Sequence, residues 1–294
     1  MHISLIGHTG FFGKEIYNFL KNKKNIKSIS VISSKNIDLS DKKNISRLSK
    51  IYKKNSIIIF CAGIKKQYGD NLEIFNKNQS IVSNFAQSLN SNVKKIIYFS
   101  SASVYGEDID TKEKINEKTK LQLKSYYGIS KFVSEKILEK KSLEHEIDLV
   151  IFRIPLVYGI GDTTIGYGPS DFVHKFLNKK EINLWGNGEE LREFIYIEDI
   201  VKITNIFLTR NIHGVFNIVS GKSYSYIDVI RILEKKLNIK CRINRNKRTK
   251  KKVNHSYDNL KLKNNLEKYR FLNLEEGLSK FLKSYEQKQK KKIY

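Results

Sequence analysis

Cysteine is scarce in this sequence: Cys61 and Cys241 are the two in 294 residues, and neither sits at metal-ligand spacing from a partner. That scarcity excludes a disulfide framework and a metal site of the zinc type, and it leaves Cys61, inside an apolar strand-like run, as a small buried thiol. Long hydrophobic runs are missing too, since no window approaches the ~20 apolar residues of a membrane span. The opening MHISLIGHTG has no basic stretch followed by a long apolar one. Neither a leader nor a membrane partner is therefore expected, and the chain is placed in the cytoplasm. Acidic residues are few: 30 Asp and Glu face 55 Lys and Arg, for a formal charge of +25. Such an excess raises nucleic-acid binding as a function. Much of it, however, is Lys spread along the whole chain beside Asn and Ile, and the densest runs, Lys247 to Lys252 and Lys288 to Lys292, have no interleaved aromatics. These runs read as solvated surface, so no nucleic-acid partner is expected, although a positive field still attracts an anionic small molecule. The 40% hydrophobic content supports one large domain, or one with a smaller appendage.

What is present begins with a strand, a glycine turn and a helix. HISLI runs directly into GHTGFFG, Gly7 to Gly13, and then into the amphipathic KEIYNFLKN. Glycines let the backbone turn tightly and approach a pyrophosphate, whose charge the helix N-terminus favours. A second strand, Ser28 to Ile32, ends in Ser33, Ser34 and Lys35, where NAD-binding proteins carry a carboxylate for the ribose hydroxyls. Hydroxyls and an ammonium suit a 2′-phosphate instead, which favours NADP over NAD. After Asp38 the pattern predicts a helix to Lys54. SIIIFCAG, Ser56 to Gly63, reads as a buried parallel strand ending in small residues, and a helix is expected from about Asp70 to Leu89. KKIIYFSSASVYGE is again strand-like and brings Ser100, Ser101 and Ser103 to the edge where Gly7 and Gly63 emerge. DLVIFRIPLVYG, Asp148 to Gly159, reads as one further strand.

Between these last two strands lies YYGISKFVSE, which on a helix places Tyr127 and Lys131 one turn apart on one face. An ammonium near a phenol stabilises the phenolate, and a phenol of lowered pKa exchanges a proton with a carbinol oxygen near neutral pH. Tyr127 is thus a candidate general acid/base.

Taken together, GHTGFFG, SSASVYG, YGISK, RIPLVYG, LREFIYIEDI and GVFNIVSGKSYSYIDVI resemble, in order from Met1 to about Leu282, the extended short-chain dehydrogenase/reductases of the NAD-dependent epimerase/dehydratase type, which modify nucleotide-activated sugars. The resemblance implies a doubly wound parallel α/β sheet of the Rossmann kind, with residues 1–159 binding the dinucleotide and 160–294 forming a smaller substrate lobe from which later strands return to the sheet. It implies a catalytic triad of Ser101, Tyr127 and Lys131. It places Gly7, Thr9, Gly10, Phe11, Phe12 and Gly13 in the pyrophosphate loop, Asp38 and Leu39 against adenine, and Ala62 and Gly63 near the nicotinamide ribose. Arg192 matches the arginine that holds the nucleotide diphosphate, with Asp171 and the turn at Trp185 lining the nucleotide pocket.

Departures from the family narrow the chemistry. Ser101-Ala102-Ser103 replaces the Thr-Asp-Glu of sugar 4,6-dehydratases, and Ser103 stands where fucose synthases carry an epimerising cysteine. Leu156 replaces the usual Asn before the second Val-Tyr-Gly, and a lysine cluster around Thr249 replaces the downstream Arg-x-Gly-Asp. The implied activity is at carbon 4 of a hexose carried on a nucleotide diphosphate. The short segment between the second strand and Asp38 favours a 4-keto-sugar reductase, whereas LREFIYIEDI is typical of 4-epimerases that retain NAD. A silent NADP-binding sensor is the alternative of another class, against which the intact triad argues. A homodimer through the helix bearing Tyr127 completes the implied picture.

Overall fold

The computed structural model describes residues 1–108, 113–162, 168–266 and 268–293. Its first half alternates β1 (His2–Ile6), α1 (Phe11–Leu20), β2 (Ser28–Ile32), α2 (Ile45–Ser49), β3 (Ser56–Phe60), α3 (Leu72–Ser88), β4 (Val93–Ser101), α4 (Tyr126–Glu144) and β5 (Asp148–Ile154). The second half runs β6 (Leu156–Tyr158), α5 (Gly168–Leu177), β7 (Ile182–Trp185), β8 (Leu191–Arg192), β9 (Phe194–Tyr196), α6 (Ile197–Thr209), β10 (Gly214–Asn217), β11 (Tyr224–Ser225), α7 (Tyr226–Leu237), β12 (Ile243–Asn246), α8 (Leu260–Leu266) and α9 (Leu274–Ile293).

Six strands form one sheet in the order β10-β5-β4-β3-β1-β2, every neighbouring pair parallel. Because side chains alternate across a strand, each strand feeds two cores. Ile3, Leu5, Ile57, Ile59, Ile97 and Phe99 meet Ile16 of α1 and Ile200 and Ile203 of α6 on one face. Ile6, Ile58, Phe60, Ile96 and Tyr98 meet Val82 and Phe85 of α3 and Leu138 of α4 on the other. A strand covered on both faces needs apolar residues at every position, which is why SIIIF of β3 is buried throughout. Burying each such side chain contributes about 1.5–3 kcal/mol. The strand order reverses between β1 and β3, and the crevice beyond the carboxyl ends of those strands is where an open α/β sheet receives a ligand.

Three expectations change. The stretch DLVIFRIPLVYG is not one strand: Pro155 lacks the N–H that the ladder needs, so β5 stops at Ile154 and β6 leaves to pair with β9. The helix after Asp38 is a short turn and the five residues of α2, and it ends well before Lys54. Tyr52 instead turns inward to bury its ring and hydrogen-bond Ser88, and Asn55 adopts a left-handed φ of 60°. The basic run from Lys247 to Lys252 is not merely solvated, because Arg248 pairs with Glu190, Lys250 with Asp108 at 2.8 Å and Lys252 with Glu189 at 3.6 Å. The side chains of Lys288 to Lys292 lie outside the described residues. Elements of the second half do rejoin the first: β10 forms the edge of the main sheet beside β5, and α6 packs against α1. Among the described residues no helix is long and apolar enough to cross a membrane.

Candidate active site

The turn after β1 is built to bring backbones together. Gly7 adopts φ +89° and donates its N–H to Ile32 O at 2.8 Å, and a Cβ there would sit 2.7 Å from Ala62 N. At Gly13 a Cβ would strike Gly7 O and lie 2.5 Å from His8 Cα. Glycine at both places lets β1, β3 and α1 close on one another. Gly10 is the N-cap of α1 and no side chain caps that end, which leaves its first N–H groups free to meet an anion. The cradle fits a dinucleotide pyrophosphate. Thr9 is exposed on it, while Phe11 and Phe12 are half-buried, the latter 5.3 Å from the Phe99 ring.

The neighbouring strand ends complete the crevice. After β3, Gly63 adopts φ +150°, and the following loop is clamped by Asn78, whose amide accepts from Ile64 N at 2.7 Å and donates to Ile64 O at 3.1 Å. A Cβ on Gly63 would lie 3.7 Å from Lys131 Nζ, which places Gly63 beside α4. After β2, Ser33 turns inward and spends its N–H and hydroxyl on Asn36 Oδ1 at 2.7 and 3.3 Å. Ser34 and Lys35 are exposed; Asp38 accepts from the backbone and hydroxyl of Ser40, and Leu39 is buried.

Ser101 ends β4 and caps the short turn of Ala102–Tyr105, accepting from Ser103 N and donating to Ser103 Oγ, both at 3.1 Å. Helix α4 starts hard against that turn. Its N-cap Ser125 accepts from Gly128 N at 3.0 Å, and a Cβ on Gly128 would approach Ser103 O to 2.8 Å, so only glycine allows the contact. Asp70 accepts from Tyr127 N at 2.9 Å. Ser101, Tyr127 and Lys131 thereby gather at the end of β4, with Lys131 Nζ donating to Phe99 O at 2.8 Å and lying 5.8 Å from the Tyr127 ring centroid.

The electrostatics reverse one expectation. Burial pushes the Tyr127 phenol up to about 12, with the hydrogen bond to Ser101 pulling it part of the way back and Glu107 pushing it higher. Burial also pushes the Lys131 amine down to about 8 against the pull of Cys61 and Glu135. The ammonium faces a backbone carbonyl and the ring rather than the hydroxyl, so removal from water outweighs it. At neutral pH the phenol holds its proton.

A cavity of about 410 Å³ opens over this group. Ser101, Ser103, Tyr127, Phe11 and Phe12 line it from the first half of the chain, and Arg192, Tyr226, His255 and Tyr257 from the second. Arg192 donates to Leu191 O at 2.8 Å and Val253 O at 2.6 Å. Two expected wall residues are elsewhere: Asp171 is buried on α5 and paired with Lys175 at 2.9 Å, and the Trp185 side chain is 56% exposed at the end of β7. Polar residues behind the triad escaped the sequence reading. Asn78 occupies the inner face of α3, Glu135 follows Lys131 by one turn, and Arg153 is the charge inside the apolar VIFRI. A polar residue at a position whose period demands an apolar one was the available signal.

A glycine cradle at the reversal point of a parallel sheet, with serine, tyrosine and lysine grouped one strand away, defines a dinucleotide-dependent α/β enzyme. Residues 3–219 match the model of the NAD dependent epimerase/dehydratase family, and the chain belongs to that family. It is 28% identical over 263 residues to the GDP-L-colitose synthase of Yersinia pseudotuberculosis, covering 82% of this chain and 83% of that one. In fold it is similar to RMD from Pseudomonas aeruginosa complexed with NADPH, with a TM-score of 0.83, 17% identity and coverage of 97% and 100%. It is similar also to the UDP-glucose 4-epimerase of Thermotoga maritima, with a TM-score of 0.81, 19% identity and coverage of 98% and 100%.

Proposed function

We propose that the chain is a reductase of a 4-keto hexose carried on a nucleotide diphosphate, using NADP in preference to NAD. The observation that carries this reading is the grouping of Ser101, Tyr127 and Lys131 at the end of β4, over the cavity that both halves of the chain line. A bound nicotinamide supplies the hydride to the sugar carbon. Ser101 orients the carbon 4 oxygen by a hydrogen bond, and Tyr127 gives that oxygen its proton. Lys131, held by Phe99 O, binds the nicotinamide ribose and stabilises the phenolate left behind. Residues 1–159 hold the cofactor and the lobe within 160–294 holds the nucleotide, with two copies pairing through α4. A redox-neutral 4-epimerase is the second reading, favoured by the LREFIYIEDI segment. Incubation with NADPH and a nucleotide-linked 4-keto hexose separates the two. Stoichiometric loss of NADPH absorbance is expected, and interconversion of nucleotide hexoses without net cofactor change would overturn the reductase.

Two variants test the binding assignments. Arg192→Ala is expected to weaken nucleotide-diphosphate sugar binding by roughly tenfold or more, since a guanidinium fork chelates a diphosphate, while cofactor affinity changes little. Calorimetric titration with both ligands decides it, and an equal loss for both would make Arg192 a tether for Val253. At the end of β2, where Ser34 and Lys35 are exposed and no carboxylate follows the strand directly, NADPH is expected to bind roughly tenfold or more tightly than NADH. Lys35→Glu removes the ammonium and adds a repelling charge, so the preference is expected to vanish or invert. Tighter NADH binding by the unaltered chain would remove the case for NADP.

A further inference from the structure

Directly behind the triad, three strands contribute one row of polar residues. Ser100 of β4 pairs in register with Arg153 of β5, which pairs in register with Asn217 of β10. Glu135 of α4, one turn beyond Lys131, comes down onto this row: its Oε1 accepts from Ser100 Oγ at 2.5 Å, and its carboxylate takes Arg153 Nη2 at 2.7 Å and Nε at 3.1 Å. Arg153 Nη1 donates to Tyr105 OH at 3.0 Å, and Tyr105 OH donates to Asn217 Oδ1 at 2.8 Å. Every member is buried.

A buried ion pair of this kind gives little stability over well-packed apolar residues, because removing both charges from water offsets their attraction. Its geometry suggests what it does provide. The network touches each piece of backbone that carries a reacting group: Ser100 adjoins Ser101, Tyr105 closes the turn containing Ser103, and Glu135 shares a helix face with Lys131. The groups facing Lys131 are the Cys61 thiol just after β3, which burial pushes up to about 12, the Tyr98 phenol from β4, which burial also pushes up, and Tyr127 and Glu135 from α4. Of these, Glu135 is the carboxylate, and its ion pair with Arg153 holds it in place.

We propose that Glu135 and Arg153 are positioning residues, which lock the end of β4, the following turn and α4 into one frame and so fix where the Lys131 amine stands. The inference rests on the triad reading above. Glu135→Gln keeps most of the shape and a hydrogen bond to Ser100 but removes the charge. It is expected to move the Lys131 titration to lower pH by roughly one unit, the effect of one nearby charge in a partly screened interior. A carbon NMR titration of the lysine-labelled chain reads that shift without any substrate, so its result stands even if the reductase reading fails. In turnover, the alkaline limb of the pH profile is expected to move down with it, and kcat to fall about tenfold with KM little changed. Glu135→Met with Arg153→Leu removes both charges and keeps the volume apolar; it is expected to fold with a smaller displacement of the Lys131 titration, yet with the same lowered kcat. Should the double variant keep the unaltered kcat, the pair is packing alone and the proposal falls. The same conclusion follows if Glu135→Gln folds and leaves the titration where it was.

Discussion

Tyr127→Phe is expected to lower turnover by roughly 100-fold or more while leaving cofactor affinity within about twofold. The substitution removes one oxygen and keeps the ring that packs at the start of α4. In the proposed mechanism that oxygen is the proton source, and burial pushes its pKa up to about 12. Ser101 does not replace it, because an aliphatic hydroxyl is a much weaker acid than a phenol. Lys131 does not replace it either, since its Nζ is held by Phe99 O. Single-turnover assays with cofactor titrated in parallel distinguish lost chemistry from lost binding. Near-normal turnover would end the proposed mechanism.

Gly13→Val is expected to weaken cofactor binding by roughly 100-fold and to destabilise the fold by about 1–3 kcal/mol, the cost of forcing atoms into a packed site. The reason is steric and lies in backbone, which has little room to give. A Cβ would collide with Gly7 O and lie 2.5 Å from His8 Cα, so α1 has to back away from the loop whose N–H groups it presents. Gly10 gives a graded comparison within the same loop: a Cβ there meets Gly7 O at 3.3 Å, crowded but short of a collision, so Gly10→Ala is expected to weaken binding less than Gly13→Val. Thermal unfolding with and without NADPH measures both effects. A Gly13→Val chain that binds as Gly10→Ala does would show that the loop is not the pyrophosphate cradle.

The alternation of strands and helices, the glycine loop and the spacing of Tyr127 and Lys131 were legible in the sequence because each is local. A period of two or of 3.6, a glycine that must turn and a single helical turn between phenol and amine are written in consecutive residues. The break at Pro155 was legible in principle too, since the missing N–H is a property of that residue alone. What neighbouring strands do to one another was not. The alignment of Ser100, Arg153 and Asn217 depends on sheet register, and the meeting of Glu135 with Arg153 depends on where α4 lands. Asp171 and Trp185 were assigned to the cavity by position in the chain, and tertiary packing put one in the interior against Lys175 and the other in solvent. The proton state of Tyr127 was decided in the same way. Sequence spacing set an ammonium near a phenol and so pointed to a lowered pKa, but the free energy of a charge depends on the water it loses, and only the folded chain sets how much water that is.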